Sequence, residues 1–163
     1  MDNYFYSYMT LIEYETSRVF ELLAKDCDEP GAKLLLTSVC EDTKKHANIM
    51  KSIAEMAGQT YPPPMAGCEI EMGQAYKQYL SFIKSLKGKL KNGMLPLEAL
   101  DSIMGHEKFM NEEYLSQLHS RVRLVQEQDT AVRRVLEDTA ADEERHRELL
   151  ELAMDRLSRK AIR

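Results

Sequence analysis

Five consecutive residues in the C-terminal third, Asp142-Glu143-Glu144-Arg145-His146, carry the strongest chemical signal in the chain. They lie in a long run without glycine or proline. Wound as a helix, that run places Val132, Val135, Leu136, Ala140, Leu150, Ala153, Met154 and Leu157 on one stripe. Glu143 and His146 fall in its middle, one turn apart, while Glu144, Arg145 and Arg147 point elsewhere. A carboxylate and an imidazole on an inward face need partners, because burying an unpaired charge is costly. Two chemistries meet that need. One is a Glu–His hydrogen bond inside an ordinary bundle. The other is ligation of a metal ion, which helix bundles achieve with Glu-x-x-His on an inward face.

The same residue types recur on other inward faces. Between residues 97 and 124 the apolar stripe is Leu97, Leu100, Ile103, Met104, Met110, Tyr114 and Leu118, with Glu107 at its centre and Glu112 and Glu113 well off it. Tyr114 follows Glu107 by two turns, and Phe20 follows Glu13 at the same offset. Between residues 32 and 57 the stripe of Leu35, Leu36, Val39, Met50, Ile53, Ala54 and Ala57 includes Thr43 and His46. Asp42-Thr43-Lys44-Lys45-His46 thus mirrors Asp142-Glu143-Glu144-Arg145-His146. Each half of the chain offers an inward carboxylate on its first helix and an inward histidine on its second, a weak internal duplication. One alternative stays open in the first helix. The large apolar residues Tyr8, Leu11, Ile12, Val19 and Leu22 surround Glu15 more closely than Glu13, which has Thr16, Ser17 and Phe20 on its side.

The elements that must position these residues are all helical. Apolar periodicity predicts helices from about Asn3 to Lys25, Ala32 to Ala57, Glu69 to Lys91, Leu97 to Leu124 and Thr130 to Arg159. Asp26-Cys27-Asp28-Glu29-Pro30-Gly31 is the first turn, where proline ends one helix and the acidic residues suit the start of the next. Tyr61-Pro62-Pro63-Pro64 is a stiff extended connection, and Asn92-Gly93-Met94-Leu95-Pro96 another turn. Gln126-Glu127-Gln128-Asp129 reads as the last break, with Asp129 an N-cap. The expectation is four long helices in two hairpins, residues 1–57 and 97–160, with a shorter helix in the connection between them.

The totals agree with an all-α domain. The chain has 163 residues, enough for one domain with a real core, and no tryptophan. Its net charge of −5 gives no reason to expect nucleic acid or an anionic membrane as partner. Lys84, Lys87, Lys89 and Lys91 read as a solvated face, and the basic tail Arg156, Arg159, Lys160 and Arg163 suits a helix C-terminus. The start shows no signal-peptide pattern, and no apolar run is long enough to span a bilayer. Cys27, Cys40 and Cys68 are scattered, without a Cys-x-x-Cys pair, and read as thiols of a reducing cytoplasm. His119 reads as a helix C-terminal histidine, and the ten methionines as core filler.

With these residues in place, the chain resembles the ferritin-like superfamily, near the rubrerythrin-type domains. The resemblance covers both hairpins. It implies a four-helix bundle whose second and third core helices are joined by a long crossover, here residues 58–96. It also implies a dimetal site built from one glutamate on each of two helices and a Glu-x-x-His on each of the other two. Carried over, Glu13 and Glu107 resemble the single glutamates, Glu143 with His146 the intact second motif, and His46 the histidine of the first. The family pattern favours Glu13 over Glu15.

Thr43 departs from that pattern, standing where the family has glutamate. A neutral hydroxyl is a poor ligand for iron or manganese beside a carboxylate. Asp42 is adjacent but about 100° around the helix, so it is expected to reach the site only through a local distortion such as a π-bulge. Two functions follow. The first is an oxidoreductase acting on oxygen or peroxide through iron, two ions if the site is complete, or manganese. Tyr114 would orient a ligand, and an external reductant protein would supply electrons because no rubredoxin domain is attached. The second is a degenerate, non-enzymatic ferritin-like module that binds one metal or none and acts as a dimeric structural or interaction protein. The apolar face of the first helix at Tyr4, Tyr8 and Leu11 has two candidate occupants, the crossover helix or a second subunit, and a homodimer is expected from it.

Overall fold

The computed structural model describes residues 4–125 and 129–162, with the backbone alone described at 107–115 and 121–125. Among the described residues the chain is all-helical: α1 (Phe5–Asp26), α2 (Pro30–Met56), α3 (Cys68–Lys91), α4 (Pro96–Val125) and α5 (Thr130–Ala161). Glu29 and Asp129 start α2 and α5 as N-caps. The Glu29 carboxylate accepts from the Ala32 N–H, and the Asp129 carboxylate from the N–H groups of Ala131 and Val132. Pro30 opens α2 rather than closing α1, because proline lacks the N–H that a first-turn residue leaves unpaired anyway. The break expected at Gln126–Gln128 lies outside the described residues.

The helices pack in series, α1 on α2, α2 on α5 and α5 on α4, and α3 lies against both α1 and α4. Their directions follow from the contacts. Tyr4, Tyr8 and Glu15 of α1 meet Glu71, Tyr76 and Lys87 of α3, so these two helices run the same way. Phe82 and Met72 of α3 meet His106 and Gln117 of α4 in reverse order, as Glu29 and Asp42 of the α2 strip meet Arg156 and His146 of α5. Cys40 and His46 of α2 lie by Ser17 and Glu13 of α1, again in reverse order, so α1, α3 and α5 point one way and α2 and α4 the other.

Helix α3 is more than a short link. At 24 residues it is longer than α1, with 22. It buries Met72, Tyr76, Tyr79, Leu80, Ile83, Leu86 and Leu90 in the common core. Each such side chain contributes roughly 1.5–3 kcal/mol when fully removed from water. The Tyr76 hydroxyl donates to the Tyr8 carbonyl, and the Tyr8 hydroxyl to that of Pro64 at 2.5 Å. The face at Tyr4 and Tyr8 thus packs on α3 and its approach, the crossover-helix alternative. Gly73 interrupts α3 with φ 84° and ψ 165°, a conformation open to glycine, and Gln117 of α4 donates to the Met72 carbonyl beside the break at 3.0 Å.

A candidate metal centre between three helices

Glu13 of α1, His46 of α2 and Glu143 of α5 converge in the interior. One ligand atom from each lies within 4.8 Å of the others. Glu13 and His46 are buried, and Glu143 is nearly so. Regular helix geometry brings them there, since each sits on the inward stripe of its own helix. Glu15 turns the other way and pairs with Lys87 of α3. Of the two glutamates, Glu13 is thus the one in the cluster, and α3 accounts for the apolar residues around Glu15.

The two histidines are set in matched surroundings. His46 Nδ1 lies 3.0 Å from Glu143 Oε1, and its Nε2 lies 3.1 Å from Asp142 Oδ2. His146 Nδ1 lies 3.5 Å from the same Glu143 oxygen, and its Nε2 lies 3.3 Å from Asp42 Oδ2. The rings stack with centroids 5.6 Å apart. Lys45 reaches Asp142 at 2.7 Å, and Arg145 reaches Asp42 at 2.6 Å and Asp142 at 3.0 Å. Each aspartate of one five-residue segment thus holds the histidine and the basic residue of the other.

Asp42 needs no π-bulge for this. α2 and α5 run antiparallel, so a residue on the flank of α2 faces α5 directly, and Asp42 meets His146 across that seam rather than its own helix's core. Sequence reasoning left Asp42, Asp142, Lys45 and Arg145 out of the site. Their signal was the repeated Asp-x-x-basic-His spacing in the two segments.

The electrostatics follow from burial opposed by close partners. Burial works against charge on His46, but Glu143, Glu13 and Asp142 outweigh it and raise its pKa to about 9. His146 is raised for the same reasons, with Glu143 its main support. Burial would raise Asp142, yet Lys45 and His46 hold it at about 2. Glu143 and Asp42 are also held low against burial, Glu143 by both imidazoles and Asp42 by Arg145 and His146. Both nitrogens of His46 face carboxylates, an arrangement that favours the doubly protonated ring when no metal is bound.

The donor set suits a metal ion. It offers two hard carboxylates and an imidazole nitrogen from three separate helices. The far nitrogen of the ring is held by a carboxylate, the usual outer support of a metal-binding histidine. Thr43 is buried in the place that Glu143 occupies in the other segment, and its hydroxyl donates to the Val39 carbonyl at 2.8 Å. The side chains of Glu107 and Tyr114 lie outside the described residues. His106 is exposed and stacks on Phe82 at 3.8 Å, Tyr14 and His119 are exposed, and the three cysteines are buried and unpaired with one another. Among the described residues no helix is long and apolar enough to cross a membrane. Comparison with family models, curated proteins and solved structures gave no match to this chain.

Proposed function

We propose that the chain is a ferritin-like metal protein, with α1, α2, α4 and α5 as the bundle and α3 as the crossover, and that it uses iron or manganese to reduce oxygen or peroxide. The observation that carries this reading is the convergence of Glu13, His46 and Glu143, with His46 Nε2 held by Asp142. The chain's own residues would do four things. Glu13, Glu143 and the Nδ1 of His46 would hold the ion, and His146 and Glu107 would extend the set as the family pattern implies. Asp142 and Asp42 would fix both rings so that Nδ1 faces inward. Lys45 and Arg145 would keep those aspartates ionised. The surrounding helices would limit access of bulk water. A bound ion would supply Lewis acidity and electron transfer to the oxidant. A separate reductant protein would provide the electrons, and protons from solvent would complete the reduction to water.

The direct test is consumption of peroxide and of oxygen by the Fe(II)-loaded protein with a chemical reductant, beside Glu143→Gln. Turnover well above that of free iron, and lost in the variant, is the expected result. Turnover equal to free iron would overturn the catalytic reading. One observation favours the alternative of a non-enzymatic module: the charges of the cluster already satisfy one another through Lys45, Arg145 and the two imidazoles. On that reading the protein binds metal without turnover, or binds none.

A further inference from the structure

The two five-residue segments are related by a local pseudo-twofold relation that the site itself breaks. Asp42 and Asp142 exchange histidines, and Lys45 and Arg145 exchange aspartates. Both Nδ1 atoms face one oxygen of Glu143, at 3.0 and 3.5 Å. The position that would carry the matching carboxylate holds Thr43, which is buried and committed to the Val39 carbonyl. One carboxylate therefore serves two imidazoles.

Among the described residues, Glu13, His46 and Glu143 are the group whose ligand atoms lie within 4.8 Å of one another, three ligands from three helices around one position.

Resting on the metal-site reading, we infer that the chain binds one divalent ion, on Glu13, His46 and Glu143, and that Thr43 is the residue that sets this number. Protein stripped with chelator would be titrated anaerobically with Mn(II). Bound metal is counted by equilibrium dialysis, and the spin state read by electron paramagnetic resonance. Wild type should take one ion and show the hyperfine pattern of an isolated Mn(II). Thr43→Glu should take a second and show an exchange-coupled spectrum. Glu13→Gln provides a second line that does not depend on how well a new carboxylate fits the core. It should weaken binding of the single ion at least tenfold, whereas a two-ion site would keep one. Two coupled ions in wild type would overturn this inference and leave the metal reading standing. A single ion in folded Thr43→Glu would also overturn it. No ion in wild type or variants would sink the metal reading as well.

Discussion

At the scale of single residues, the centre is a set of ionisable groups buried because each has a partner. His46 is wholly buried, and its charge survives only because Glu143 and Asp142 flank the ring at 3.0 and 3.1 Å. Its pKa is raised from the ordinary 6.5 to about 9. In metal-free protein the stabilisation from this shift is therefore complete below pH 6.5 and is lost as pH rises through about 9. Asp142 behaves in the opposite sense: its pKa is lowered from 3.8 to about 2, so its contribution is present above 3.8 and lost as pH falls through about 2. Metal-free protein should thus be less stable at pH 9 than at pH 6, by on the order of 1–3 kcal/mol. The metal-loaded protein should show a smaller fall or a rise, because the ion displaces the Nδ1 proton and binds more tightly as that proton becomes easier to lose. Urea denaturation at the two pH values, with and without Mn(II), reads both trends. A parallel fall with and without the ion would speak for a purely structural network.

At the scale of the elements, helix placement was legible in the sequence and helix partnership less so. Apolar periodicity located α1 to α5 to within a few residues, and Asp129 was recognisable as a cap because its side chain precedes an uninterrupted amphipathic run. Glu13 and Glu15 could not be separated by periodicity, since α1 buries two faces, one toward α2 and one toward α3. Asp42 stays outside the ligand group, and its pairing with His146 across the seam with α5 could not be read from a wheel of α2 alone. Gly73 gave no separate signal within a segment whose apolar pattern continues on both sides. Its φ of 84° with ψ of 165° is nearly exclusive to glycine, so Gly73→Ala should destabilise the protein by about 1–3 kcal/mol, measured by urea denaturation. An unchanged midpoint would mean that α3 runs straight through this position.

At the scale of the whole molecule, the two hairpins meet along α2 and α5, and the polar cluster sits on that seam with Glu13 of α1 closing it from inside. α3 completes the core on the far side, where it packs on α1 and α4. The hairpin duplication visible in the sequence thus becomes a shared centre, built where the second helix of each half faces the other. That a polar site of this kind is carried in the core, rather than apolar side chains of similar volume, is the central fact to be explained, and metal binding is the explanation offered. Elemental analysis after anaerobic dialysis against Fe(II) or Mn(II), with Glu143→Ala treated alongside, tests it most directly. The account predicts stoichiometric metal in the wild type and its loss in the variant. No bound metal, or equal metal in both proteins, would contradict it.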